Sequence, residues 1–413
     1  VSFLLQTGQR FNLLEGCAAA IVASPVAATG YEVAYLSDRT PIPFCCSALT
    51  SPLTLTQDLN AILGGDMESV GLPSWTAVVT GTGAVTRTTV AGEFYPSAGS
   101  TAGMKLAAGT GTAKDYKDIT VRAGQKRRFT GALKGDAANA TKIRVTNRQT
   151  GKDLKSDGTW AAGPQYVHSQ TAAAWSVLAY LPYTVESWAV CLADAVTLRI
   201  EVSQEVPTGV GYADDIYDHP DVDGLCVWGH SIEPSCVVEW RSSTDGFSGS
   251  DVLVATMTQR HPAFYALATH TTRWLRLKIT GVPTAAISIG ELVAFQSFAL
   301  SRSAKLGLSV ERAHPQGRAQ TPDGMTYSTP YSGQGSSVVA AEFVSEAAGD
   351  LAQHQEILAR GRGGHWPALM IPLSAESEAY WGKLETVLTW TREVAPYADG
   401  ATQTLTEFPA AVP

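Results

Sequence analysis

The stretch VWGHSIEPSCVVEWRSSTDGFSGS, residues 227–250, brings His230, Asp245 and six serines within one short reach. It can be read as a hydrolase site or as the polar edge of a β-sandwich. The spacing favours the sandwich. Cys236, Val238 and Trp240 alternate with Val237, Glu239 and Arg241, the period of a strand with one buried face. Ser242, Ser243, Thr244, Asp245 and Gly246 then supply turn chemistry, with side chains that bond nearby backbone. A serine nucleophile needs a strained turn of the GxSxG kind, which the chain lacks, and a base held by a third group. His230 is therefore expected to be a structural histidine whose ring ties two loops together.

The same period of two recurs along the chain. Val196, Leu198, Ile200 and Val202 alternate with Thr197, Arg199 and Glu201. Ile143 and Val145 do so with Arg144 and Thr146, and Leu275, Leu277 and Ile279 with Arg276 and Lys278. Each run reads as a half-buried antiparallel strand. Asn147, Gly151, Asp157-Gly158, Asp245-Gly246 and Asp323-Gly324 mark turns between such runs, a spacing that predicts sandwiches rather than βαβ units. One short helix is expected near the C-terminus, in EAAGDLAQHQEILARGRGG (346–364). There Ala347, Leu351, His354 and Leu358 share a face and Gly361, Gly363 and Gly364 end it.

Composition agrees with an all-β chain of several domains. Of 413 residues, 45% are hydrophobic and only 16% charged, with 38 Gly and 21 Pro. That is enough apolar material for packed cores, in a length that suits two to four of them. The net charge of −8, with no basic block, argues against nucleic acid as the main partner. The run Lys126-Arg127-Arg128 reads as a solvated strand edge. No apolar run reaches the roughly 20 residues that span a bilayer. The opening VSFLLQTGQRFNLLEG makes a poor signal peptide. Cys17, Cys45, Cys46, Cys191, Cys226 and Cys236 show no zinc spacing and read as buried thiols, consistent with folding in a reducing cytosol.

Two segments resemble known families. Residues 64–218 carry GGDMESVGLPSWTAV, DYKDITVRAGQKRRFTGAL, KIRVTNRQTGKDL and VTLRIEVSQEVPTGVGYADDIYDHP. Together these resemble the carbohydrate-binding jelly rolls found beside polysaccharide hydrolases. Residues 31–63 and 219–300 carry SPLTLTQDLN, VDGLCVWGHSIEPSCVVEWRSSTDGFSGS, WLRLKITG and ISIGELVAF. These resemble the discoidin-type, galactose-binding-like sandwich. The first module would then be inserted in the second, which costs little loop entropy when its ends lie close together. With HPQGRAQTPDGMTYSTPYSGQGSSV, GGHWPALMIPL and TLTEFP, the whole resembles a minor tail or tail-tip (baseplate) protein of tailed bacteriophages. Residues 1–30 and 301–413 would be an N-terminal assembly segment and a C-terminal tail-assembly region.

The resemblance implies a structural virion protein, assembled in the host cytoplasm and without enzymatic activity. Its partners would be other tail or baseplate proteins, copies of itself in a ring, and a host surface glycan, with no nucleic acid and no membrane span. A secreted lectin-like protein is the alternative, and a polysaccharide depolymerase the weakest one. Sugar binding needs exposed aromatic faces, for which Trp160, Tyr166 and Trp175 are the candidates, although Trp175 serves equally well as core filling. The acidic run YADDIYDHPDVDG (212–224) reads either as a solvated linker or as part of a cation site. In the carbohydrate-binding jelly rolls a structural calcium joins the opening acidic residues to the closing strand. Asp66, Glu68 and Asp214 stand at those positions, although Met67 replaces the common aromatic.

Overall fold

The computed structural model describes residues 14, 17, 19–36, 44–46, 52–68, 72, 74–97, 100–193, 195–260 and 263–296. For 2–4 and the strands between 309 and 407 it describes the backbone alone. The helix expected at 346–364, His354 included, lies outside the described residues.

The molecule is all-β, and its strands are antiparallel. One sandwich is built around the stretch 227–250. Its first sheet runs Thr258–Arg260, Ala263–His270, Val222–His230, Ser288–Phe295, Phe44–Cys45. Its second runs Val252–Thr256, Val237–Ser243, Trp274–Thr280, Leu53–Asp58, Val22–Ser24. Val22–Ser24 comes from the segment read as an N-terminal assembly piece, and Leu14 joins this same core. The alternation read from the sequence is the one observed. Val238 and Trp240 are buried with Leu275, Leu277 and Ile279, facing Leu225, Val227 and Leu292 of the other sheet. Val237 is exposed, and outward-facing Arg241 pairs with Glu239 and Asp251.

The chain leaves this sandwich after Leu53–Asp58 and rejoins it at Val222–His230. The strands between form a second sandwich. Among the described residues, one of its sheets runs Trp160–Ala161, Asp153–Leu154, Thr141–Asn147, Ala195–Gln204, Ala113–Arg122, Thr76–Val79, with His168–Gln170 also on Thr141–Asn147. The other runs Ser176–Thr184, Lys126–Lys134, Val210–Pro220, Gly103–Ala107, Ala84–Thr88. Ile143 and Val145 lie opposite Val202 and Ile200. The four share a core with Phe129, Leu133 and Ala213 of the facing sheet.

The two ends of this module lie side by side. Ala61 N–H donates to Asp218 O at 2.8 Å, Ile216 N–H to Gly65 O at 2.8 Å, and Asp218 N–H to Asn60 Oδ1 at 3.1 Å. Backbone pairing thus closes the module where it leaves the host sandwich, the condition under which insertion is cheap.

Two sequence readings are corrected here. The run Lys126-Arg127-Arg128 is not a solvated edge. Arg127 is buried, and its Nε donates to the equally buried Asp218 at 2.9 Å, while Arg128 Nε donates to Asp221 at 2.7 Å. The acidic run 212–224 is not a solvated linker. It forms the strands Val210–Pro220 and Val222–His230, with Asp214 and Asp218 fully buried. Arg127 with Asp218 and Arg128 with Asp221 neutralise one another across the chain, and Asp214 is held by backbone and hydroxyl donors, which a local reading cannot register.

A further sheet joins the chain ends. Ser2–Leu4 pairs with Pro367–Ile371 in a sheet that also holds Tyr380–Leu384, Asp399–Glu407, Ser336–Ser345 and Ser309–Ala313. Among the described residues no helix is long and apolar enough to cross a membrane. The six cysteines form no disulfide there. Burial raises the Cys17 and Cys226 thiols far above the ordinary thiol range.

Candidate functional site

On the strand Lys126–Lys134, Phe129 and Leu133 point into the core, so Thr130 and Ala132 face the opposite way. That outer face is the floor of a cleft of about 430 Å³. Val177, Ala179 and Tyr180 of Ser176–Thr184 and Asp215 and Tyr217 of Val210–Pro220 complete the floor. Asp66, Glu68, Tyr95, Ser97 and Ser100 form one wall. The other wall belongs to the host sandwich: Thr244, Asp245, Arg273 and Trp274.

The floor owes its shape to two β-bulges on either side of one strand. Ser176–Thr184 slips register between Leu178, opposite Gly131, and Leu181, opposite Phe129. Val210–Pro220 slips between Asp214, opposite Ala132, and Tyr217, opposite Thr130. Each slip places one extra residue in the strand flanking Lys126–Lys134, which re-aims the side chains there. Tyr180 has φ 45° and Asp215 φ 49°, left-handed conformations rare for such residues. Strain of this kind persists where the surroundings over-determine it, and it concentrates at functional sites. Both strained residues line the cleft.

Hydrogen bonds fix Asp215. Tyr217 Oη donates to Asp215 Oδ1 at 2.6 Å. Asp214, behind the floor, accepts from Asp215 N–H at 2.8 Å, Tyr95 N–H at 2.9 Å and the Ser100 hydroxyl at 3.1 Å. It thereby ties the floor to the wall at 95–100. Burial, and then the neighbouring Asp215 charge, push the Asp214 carboxyl up to about 8. Tyr180 meets His219 edge-to-face, ring centroids 5.8 Å apart.

The junction behind the cleft is dense in charge. Arg273 donates to both oxygens of Asp58, at 2.9 and 2.6 Å, and its guanidinium lies 3.9 Å from the Tyr217 ring centroid. Gln296 accepts from Lys126 N–H at 3.0 Å and donates to Lys126 O and Asp221 O, both at 2.6 Å. These contacts hold the host sandwich's wall against the inserted module's floor.

The sequence candidates fall as follows. Trp175 stands next to the cleft, edge-on to Tyr95 with centroids 5.9 Å apart. Trp160 packs on the module's core, with its Nε1–H donated to Thr184 O at 2.8 Å. Tyr166 lies away from the cleft, its hydroxyl on Glu205 at 3.2 Å and its ring covered by Lys142 Nζ at 4.5 Å. The aromatic residues that line the cleft, Tyr95, Tyr180, Tyr217 and Trp274, were not singled out from sequence. A usable signal lay in Asp214-Asp215, where two acidic residues interrupt the alternation of an otherwise regular strand.

Asp66, Glu68 and Asp214 do not come together around a shared cation. Glu68 accepts from Thr101 N–H, the Thr101 hydroxyl and Ala102 N–H at 2.6–3.0 Å, and faces Arg87 at 3.7 Å. Those hydrogen bonds hold its carboxyl below the usual range despite partial burial. Asp214 spends its oxygens on the three donors named above. Among the described residues no group of three or more His, Cys, Asp or Glu side chains could hold a metal ion.

The polar stretch of residues 242–250 closes on itself. Asp245 accepts from the Ser243 hydroxyl at 2.7 Å, the Ser250 hydroxyl at 2.9 Å and Ser250 N–H at 2.9 Å, and Phe247 N–H donates to Ser243 Oγ at 2.9 Å. His230 Nδ1 accepts from Ile232 N–H at 3.1 Å, and its ring rests on Phe264 at 4.8 Å. Both are turn-stabilising arrangements.

Buried titratable groups set a pH profile. Asp214, raised to about 8, and Asp115, raised to about 7 by burial, keep their protons in the folded state well above the 3.8 of the unfolded chain. Their contribution is complete below 3.8 and is lost as pH rises through 7 to 8. His219 and His270, pushed down to about 3 by burial, act the other way and lose their contribution as pH falls from 6.5 towards 3. Above 6.5 only the carboxyls act, so the urea midpoint is expected to fall between pH 6.5 and about 8.5. A flat or rising midpoint over that interval would contradict the assignment.

No protein-family model and no curated protein matches the chain. Solved structures of similar fold include carbohydrate-binding modules and a phage tailspike domain. The CBM22-1 xylan-binding domain of Xyn10C from Paenibacillus barcinonensis is similar over 38% of this chain and 91% of its own, at 14% identity and TM-score 0.27. TmCBM61, solved with β-1,4-galactotriose, is similar over 39% and 98%, at 11% identity and TM-score 0.25. The enzymatically active domain of tailspike protein 4 from bacteriophage CBA120 is similar over 39% of this chain but 21% of its own length, at 14% identity and TM-score 0.28. At these TM-scores the likenesses identify neither a family nor a ligand for this chain.

Proposed function

We propose that the chain is a non-enzymatic structural protein of a phage tail tip or baseplate, whose inserted module binds a host surface glycan in the cleft. The observation that carries the binding role is the pair of bulges that set Tyr180 and Asp215, in strained conformations, on the cleft floor. A ring beside carboxylate and hydroxyl groups on a concave sheet face suits a sugar, whose C–H face stacks while its hydroxyls bond the rim.

The tail role is supported by the sequence resemblance and by sheet edges that neighbouring subunits would cover. Val78 and Val79 are exposed on the edge strand Thr76–Val79, as are Val252 and Leu253 on the edge strand Val252–Thr256. Exposed apolar edges of this kind are ordinarily capped by a partner.

Cryo-electron microscopy of the parent particle tests the first half. A symmetric ring of this chain at a tail end, with the inserted module outward, is the expected result. A lone monomer would support the secreted-lectin alternative instead. Glycan-array binding by the purified chain tests the second half. Turnover of a bacterial polysaccharide by that same preparation would overturn the non-enzymatic reading.

A further inference from the structure

The cleft is walled by two modules, and the resemblance to the carbohydrate-binding jelly rolls covers only one of them. We propose that Trp274, in the host sandwich, is a ligand-contacting residue of the glycan site, so that recognition requires both sandwiches. This rests on the glycan-binding reading above and extends it to a residue outside the inserted module.

Three observations support it. First, Trp274 lines the same cavity as Tyr180 and Tyr217 but belongs to the other module. Second, its position is built. It begins the strand Trp274–Thr280, opposite Ser243. The Arg273 guanidinium lies 5.2 Å from its ring, and its indole sits over Gly246, where an added Cβ would come within 3.4 Å of the ring. Gly246 has φ 70°, so the turn that carries Asp245 can pass close beneath the indole. Third, the host wall is locked to the floor. Arg273, adjacent to Trp274, is bonded to Asp58 of the host sandwich through both carboxylate oxygens and stacked on Tyr217 of the inserted module. A ring whose wall is fixed against the floor is a preorganised stacking surface, which spares the ordering cost of binding.

A sugar held between the walls would also contact both modules, so its binding would reinforce their junction by mass action. The host sandwich would then be part of the receptor-binding unit as well as its support.

The experiment measures binding of the full chain to the strongest glycan-array hit by calorimetry, for wild type, Trp274→Ala, Trp274→Phe and Tyr180→Gly. Trp274→Ala is expected to weaken binding at least about tenfold, as a lost aromatic contact does. Trp274→Phe should restore most of it, and amide exchange at Lys126–Lys134 and Val210–Pro220 should slow when the glycan is added. Trp274→Ala binding like wild type while Tyr180→Gly fails would overturn this inference and leave the glycan site on the inserted module alone. Loss of binding in Trp274→Ala without rescue by Phe, and with slowed exchange absent, would also overturn it, since damage to the wall would then account for the loss. If neither Trp274→Ala nor Tyr180→Gly changes binding, or no glycan binds, the underlying reading falls and this inference with it.

Discussion

Arg127→Ala is expected to lower the unfolding free energy by about 3–5 kcal/mol, read from urea denaturation. The Arg127 and Asp218 side chains are 4% and 1% exposed. Arg127 donates from Nε to Asp218 Oδ2 and from a terminal nitrogen to Gln125 Oε1, and Tyr183 Oη donates to Asp218 Oδ1 at 3.0 Å. Burial already drives the Asp218 carboxyl upward against the pull of Arg127. Without the guanidinium, a carboxyl would remain in the interior with only the Tyr183 hydroxyl and the Asn60-linked backbone around it. The cost lies in that stranded group more than in the lost attraction, so a paired replacement makes a sharp control. Arg127→Met with Asp218→Leu should recover part of the loss, because no charge is then stranded and only the Tyr183 hydroxyl and Gln125 Oε1 lose a partner. A single variant within about 0.5 kcal/mol of wild type would show that the pair does not hold the junction.

Tyr180→Gly is expected to reduce glycan affinity at least about tenfold while changing stability by less than about 1 kcal/mol. The two effects separate because the residue carries opposing contributions. A tyrosine at φ 45° is strained by roughly 1–2 kcal/mol, and glycine adopts that conformation freely. The half-buried ring returns part of that through its contact with His219. Removing it thus relieves the backbone, costs some packing and deletes the stacking face. A variant that melts far below wild type would mean that the ring is a structural wedge. Unchanged glycan binding would remove Tyr180 from the site.

The strands were legible from the chain because their signal is local. Val196 to Val202 and Leu275 to Ile279 alternate with polar residues, Cys236 to Trp240 alternate with Val237 and Glu239, and one face of each is buried. A strand needs only its own neighbours to show which face is apolar. The turn reading of 242–250 was legible for the same reason, since Ser243, Asp245 and Ser250 bond within a few residues of one another.

The site was far less legible. Trp160 and Tyr166 were reasonable sugar platforms by composition, yet Thr184 and Tyr183 hold one ring and Lys142 and Glu205 hold the other. Whether an aromatic face is free depends on residues distant in the chain. Nothing local marks Tyr180, and Asp215 stands in the acidic run 212–224 with no sign of its place on the cleft floor, because a bulge arises from the pairing of two strands with a third.

Read in chain order alone, then, the protein is a series of antiparallel sandwiches, because alternation and turn chemistry act over a few residues. The fate of its charges depended on the assembled fold. Arg127 and Asp218 lie 91 residues apart, and Arg273 and Asp58 lie 215 apart. A charge is solvated or buried according to what the fold sets against it, and here each sandwich neutralises its own buried pair, while Arg273 on Tyr217 and Gln296 on Lys126 and Asp221 join the two beside the cleft.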